Sequence, residues 1–266
     1  MHSDKTSFFL AVLLIFVVAG CDGQAPETVE THADDPVESE APKMVVEPGE
    51  ADDLIHPDNW PLQLPVLPRD PDMEKRIADL LSRMTLEEKV GQVIQADIAS
   101  VTPEDVKQYN LGSILNGGGS APDGDLRNTP DSWLALADAF WEASTDTSDG
   151  GVGIPAIWGT DAVHGHSNIV GATIFPHNIG LGAANDPDLM YEIGRVTSLE
   201  MLATGLDWTF APTIAVVRND RWGRTYEGYS EDPGIVATFA PRIIEGIQGV
   251  PGTDEFLSES HMIATA

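Results

Sequence analysis

The chain has 266 residues, enough for one large α/β domain or two small ones, and 43 acidic against 14 basic side chains give it a formal charge of -29. That excess excludes nucleic acid as a partner, since phosphate binding needs a basic face, and is compatible with a neutral polymer such as a polysaccharide. Its single cysteine, Cys21, excludes an intramolecular disulfide.

Taken in order, residues 8–20 read FFLAVLLIFVVAG, too short a run to span a bilayer comfortably and of the length of a signal-peptide core. The ending VAGC, Val18 to Cys21, resembles a bacterial lipobox, which implies lipidation at Cys21 and a lipoprotein on the periplasmic or cell surface, held to the membrane by its lipid anchor alone. Residues 22–59 carry twelve Asp or Glu against one Lys and are rich in proline, so they are expected to be a disordered acidic tether. The folded domain is expected over residues 60–266, after an extended arm at Trp60 (WPLQLPVLP).

Asp70 and Pro71 open a helix with Ile77, Leu80, Leu81 and Met84 at helical spacing. Thr85 and Glu88 form the capping box of a second helix, whose Leu86, Val90 and Val93 are expected to face inward, leading to a strand around Val93–Ala96. Thr102 and Pro103 start a helix ending near Gly112, and Ser113–Asn116 reads as a buried strand running into the glycines 117–119. That NGGGS run has neither a phosphate-loop lysine nor a GxGxxG spacing, so no nucleotide and no other cofactor is expected. A helix over Ser132–Thr145 places Trp133, Leu136, Ala137, Phe140 and Trp141 toward a core. A strand at Ile154–Trp158, a helix over Asp188–Ala203, a strand at Asp207–Ala211, a helix over residues 234–248 kinked at Pro241, and the start of a strand in HMIATA complete the pattern. Strands alternating with helices argue for a parallel sheet. Polar residues gathered after the strands favour an α/β fold of the eight-stranded (β/α)8 TIM-barrel type over an open doubly wound sheet. About five strands are readable, so the barrel is expected to be truncated.

Two loops carry chemistry. The first, residues 159–168, holds Asp161, His164 and His166; the second, residues 218–233, holds Arg221, Arg224, Glu227, Glu231 and Asp232. A metal-dependent hydrolase using Asp161, His164 and His166 is one reading. In a sugar site, Asp161 accepts two hydroxyl hydrogen bonds and Arg224 or Arg221 donates to another, with Trp158, Trp208, Trp222, Tyr226 and Tyr229 at hand to lie against pyranose faces. The plainer alternative pairs the arginines with Glu227, Glu231 or Asp232 to order the loop. A lipoprotein that binds glycans without cleaving them is a third reading.

The segments WGTDAVHGHSNIVGATIFPHNIGLGAANDPDL and ATGLDWTFAPTIAVVRNDRWGRTYEGYSEDP closely resemble glycoside hydrolase family 3, the exo-β-glucan glucohydrolases and β-glucosidases in particular. RIADLLSRMTLEEKVGQ and LGSILNGGGS resemble the family's opening helices and second strand. The resemblance implies removal of terminal β-D-glucose from oligosaccharides or β-glucans by a retaining mechanism. It assigns sugar binding in the innermost subsite to Asp161 and Arg224, and support of the loop to His164. It also implies that the aspartate nucleophile and the acid/base, roughly 5 Å apart in retaining enzymes, come from later segments. No catalytic residue is therefore expected among these 266, and the fragment alone is expected to be inactive. Linkage preference and oligomeric state stay open.

Overall fold

The computed structural model describes residues 68–266; Cys21, the apolar leader, the acidic tether and the arm at Trp60 lie outside them. Five short strands form one parallel sheet in the order β1-β2-β3-β4-β5: Gln95–Asp97, Ser113–Asn116, Ile157–Thr160, Trp208–Thr209 and Ile263–Ala264. Chain neighbours are sheet neighbours throughout. A doubly wound sheet reverses its strand order at a switch point, so this order is that of a barrel wall, as the sequence pattern predicts.

Helices fill the intervals. After α1 (Pro71–Arg83) and α2 (Leu86–Gln92), α3 (Pro103–Tyr109) joins β1 to β2 and α4 (Pro130–Thr145) joins β2 to β3. Helices α5 (Asn178–Ala184) and α6 (Pro187–Leu202) lie between β3 and β4, and α7 (Pro233–Gln248) between β4 and β5. Local chemistry sets the starts. Asp70 accepts from the amides of Asp72 and Met73, Thr85 and Glu88 close a reciprocal capping box, Thr102 and Asp105 close another, and Asp186 caps α6 ahead of Pro187. Pro241 sits inside α7, which is one continuous element rather than two.

The core lies between the sheet and the outer helices. Val106, Ile114, Trp133, Phe140, Met190, Met201, Leu206, Phe239, Ile247 and Met262 are all essentially inaccessible. Helices α6 and α7 pack backbone to backbone: a Cβ on Gly194 would lie 2.4 Å from the Ile243 carbonyl oxygen, and one on Gly246 would lie 2.1 Å from that of Tyr191. Only glycine permits that approach.

Three sequence expectations are corrected, and one helix is new. Leu86, Val90 and Val93 do not face inward; they are 72%, 49% and 84% exposed. The side of α2 that packs is that of Gly91, where a Cβ would fall 2.0 Å from the Tyr109 carbonyl, and the apolar side chains therefore point the other way. Trp141 is exposed, whereas Trp133 and Phe140 from the same stripe are buried. Strand β3 begins at Ile157 instead of Ile154, and α5 was not anticipated.

Candidate functional site

The site begins beneath its surface, at the ends of β2 and β3. Asn116 is buried; its amide nitrogen donates to Thr160 Oγ1 at 2.9 Å, and its carbonyl oxygen accepts from the Trp158 indole at 3.0 Å. Asn168, eight residues past Thr160, donates to the same hydroxyl at 2.8 Å. The Thr209 hydroxyl on β4 donates to the Thr160 carbonyl at 3.1 Å and accepts from the Ala162 amide at 3.2 Å. Asp161 thus sits on a short turn fixed on both sides by buried hydrogen bonds, while its own side chain is exposed and makes no hydrogen bond among the described residues.

Beyond Asp161 the loop is held at three points. Gly165 adopts φ +82, and a Cβ there would strike the Thr173 carbonyl at 2.3 Å. Glu200 of α6 accepts from the Thr173 amide and hydroxyl, at 3.0 Å and 2.9 Å. His166 is fully buried, edge-on to Trp133, with Nε2 2.8 Å from the Thr204 hydroxyl. That hydroxyl donates to the Met201 carbonyl, so His166 carries its proton on Nε2. Burial lowers its pKa to about 4, and it is neutral at pH 7.

The second loop brings Arg224 to the same place. Its Nε and Nη2 donate to the two Glu227 oxygens at 2.8 Å and 2.5 Å, across a short helical turn, Thr225–Glu227. Glu227 is buried, and its pKa is lowered chiefly by that guanidinium hydrogen bond. Arg224 itself remains exposed, with its charge secured by Glu227. The pairing weighed for the arginines as a loop-ordering contact is therefore realised at Arg224, and it orients the guanidinium without covering it.

These parts surround a cavity of about 300 Å³ whose lining includes Asp161, Arg224, His164, Asn168, Tyr226 and Gly118. Larger hollows exist elsewhere: an apolar groove of about 610 Å³ along α2 and α3, and one of about 440 Å³ beside Arg218. The smaller cavity is the better site because it opens at the C-terminal ends of β2 and β3 and gathers a carboxylate, a guanidinium, imidazole and amide groups. Its glycine wall is anchored by Asp97 at the end of β1, which accepts from the Gly117 amide at 2.9 Å and the Ser120 hydroxyl at 2.7 Å. Sequence reading passed over Asp97, whose partners lie twenty residues on.

Asp161, His164 and His166 do not converge on one point. His164 Nε2 is 2.9 Å from His177 Nδ1, and His166 faces away into the core. No group of three or more His, Cys, Asp or Glu that could hold a metal occurs among the described residues. Of the aromatics offered as sugar platforms, Trp158 and Tyr229 are core residues, Trp158 stacked on Trp133 at 5.6 Å and Tyr229 edge-on to Phe239. Trp208 donates to Thr265 Oγ1, Tyr226 lines the cavity, and Trp222 is exposed outside its lining.

Residues 85–266 match the glycosyl hydrolase family 3 N-terminal domain. Among curated relatives, the lysosomal beta glucosidase of Dictyostelium discoideum is 32% identical over 65% of this chain and 22% of its own length. The periplasmic beta-glucosidase of Salmonella typhimurium is 29% identical over 68% and 21%. Among solved structures, an exo-1,3/1,4-beta-glucanase from a Pseudoalteromonas species is 54% identical with a TM-score of 0.71, covering 74% of this chain and 24% of that one. The chain thus spans less than a quarter of the length of each of these three proteins.

Proposed function

Because the chain belongs to glycosyl hydrolase family 3, we propose that its cavity is the glucose-holding part of a β-glucosidase or exo-β-glucanase site, with Asp161 and Arg224 gripping a terminal glucose. The observation that carries this reading is the meeting of Asp161 and Arg224, from two different loops, in the lining of one polar cavity. A carboxylate accepts from two vicinal hydroxyls and a guanidinium donates to a third, and charged hydrogen bonds of this kind are worth about 1.5–3 kcal/mol each. The resemblance in sequence and fold to an exo-1,3/1,4-beta-glucanase supports terminal glucose of a β-glucan as the substrate class.

The cavity binds and does not by itself cleave. Retaining hydrolysis needs two carboxyl groups about 5 Å apart, one of them able to give up and recover a proton. Only Asp161 and Glu227 offer carboxylates in this lining, and Glu227 is held ionised by Arg224. Asp161 then has no second carboxyl group to work with, and its place is that of a hydroxyl acceptor. The leader and Cys21 support a lipid-anchored protein outside the inner membrane, tethered by residues 22–59. The purified 266-residue chain is expected to give no turnover of 4-nitrophenyl β-D-glucoside; robust turnover abolished by Asp161→Asn would make Asp161 a reacting group and overturn this division of labour.

A further inference from the structure

The sequence places His177 alone, far from any other titratable group, yet it ends up between the two loops that build the cavity. Its Nδ1 lies 2.9 Å from His164 Nε2, with the two rings edge to face at 4.3 Å. It also meets the Tyr226 ring, edge to face, at 4.7 Å. His164 is three residues past Asp161, and Tyr226 is two past Arg224, so one imidazole touches the carriers of both sugar-gripping side chains.

His177 is itself firmly placed. It precedes α5 and makes no capping bond to that helix, which leaves both ring nitrogens for other partners. The next residue, Asn178, is buried and donates to the Glu227 carbonyl at 2.7 Å, and Glu227 is the residue that holds Arg224. One turn further along, α5 lies backbone against backbone on the second loop: a Cβ on Gly182 would stand 1.8 Å from the Tyr229 carbonyl. Toward the first loop, the Phe175 amide donates to the His164 carbonyl at 2.9 Å. The head of α5 is therefore bonded to both walls of the cavity.

We propose that His177 is a positioning residue of the sugar pocket, which sets the separation of Asp161 and Arg224 by bridging His164 and Tyr226. This rests on the reading of the cavity as a glucose site. The bridge needs one proton between two facing ring nitrogens. His164 also faces the Pro176 carbonyl and the Glu227 carboxylate, which favour its protonation, and the Tyr226 ring lies against His177. Burial, and then the neighbouring His177, hold the pKa of His164 below its ordinary 6.5.

The test is glucose affinity, by titration calorimetry on the full-length gene product, for the wild type, Asp161→Asn, His177→Phe, His177→Ala and His177→Asn. His177→Phe keeps the ring and loses the hydrogen bond; His177→Asn sets an amide atom close to the place of Nδ1. The expected result is affinity weakened about tenfold in the Phe and Ala variants, the scale of one well-placed hydrogen bond, and recovered in the Asn variant. Wild-type affinity in all three His177 variants, beside a weakened Asp161→Asn, would overturn the positioning role alone. Should the Phe variant fail to fold, Ala and Asn variants of equal affinity overturn it equally. No effect of Asp161→Asn, or no glucose binding by the wild type, would overturn the glucose reading and this role with it.

Discussion

Replacing Asn116 with alanine removes the one residue that joins the buried Trp158 indole to the hydroxyl under Asp161. The wild-type side chain accepts from the indole at 3.0 Å and donates to Thr160 at 2.9 Å, with Asn116 1% and Trp158 3% exposed. The orphaned indole N–H has no access to water, a penalty of about 1–3 kcal/mol, and the second hydrogen bond adds about 1. The total is about 2–4 kcal/mol, or a midpoint lowered by about 5–15 °C at roughly 2–4 °C per kcal/mol for a domain of this size. Thermal unfolding of the 266-residue chain followed by circular dichroism would measure it. The cause is isolated by a double-mutant cycle with Trp158→Phe, which deletes the donor that Asn116 satisfies. In that background Asn116→Ala should cost less by about 1–3 kcal/mol. Costs that add to within about 0.5 kcal/mol would show that the indole bond is not what makes Asn116 matter.

Other consequences concern pH and packing. His166 has a folded pKa near 4 against an ordinary 6.5, so between these values the unfolded state binds more protons and stability rises with pH. Its contribution is fully present above about pH 6.5 and falls by up to about 3 kcal/mol on acidification to about pH 4. Urea titrations across that window should show the loss in the wild type and a flatter profile in His166→Gln; parallel profiles would refute a buried neutral imidazole. Gly246→Ala should destabilise by about 1–3 kcal/mol despite alanine's better helix propensity, because its methyl group meets the Tyr191 carbonyl. A raised urea midpoint would mean that α6 and α7 do not touch there. Glu227→Gln should weaken glucose binding with little change in stability, since it releases the Arg224 guanidinium without emptying space; unchanged affinity would detach Glu227 from the pocket.

What could be read from sequence was mostly what short-range chemistry decides. Helix starts at Asp70, Thr85, Thr102 and Asp186 are fixed by a side chain reaching amides two or three residues away, so local reading placed them correctly. The alternation of strands and helices showed the barrel wall, because each crossover is written in sequential order. The burial of α2 was misread because periodicity defines a stripe and not what covers it; Gly91, which carries no hydropathy signal worth following, chose the packed side. Within the site, Asp161 and Arg224 were named from motif and charge, and the cavity brings them together. Asp97 and His177 were missed for one reason: the cavity partners of Asp97 lie about twenty residues away, and those of His177, His164 and Tyr226, lie thirteen and forty-nine away, so they meet only across turns that the sequence does not determine locally. Trp158 and Tyr229 were misassigned because an aromatic beside a polar loop is as suited to a core as to a sugar face, and only the packing of α4 and α7 decides.

The central claim is that this chain builds a glucose pocket whose anionic grip is Asp161. Its most direct test is the affinity of the full-length gene product for glucose, compared between the wild type and Asp161→Asn at pH 7. Loss of one charged hydrogen bond, about 1.5–3 kcal/mol, predicts affinity weaker by about 10- to 150-fold, with the unfolding midpoint unchanged because the side chain is exposed and makes no hydrogen bond among the described residues. Equal affinity in the two proteins would contradict the account.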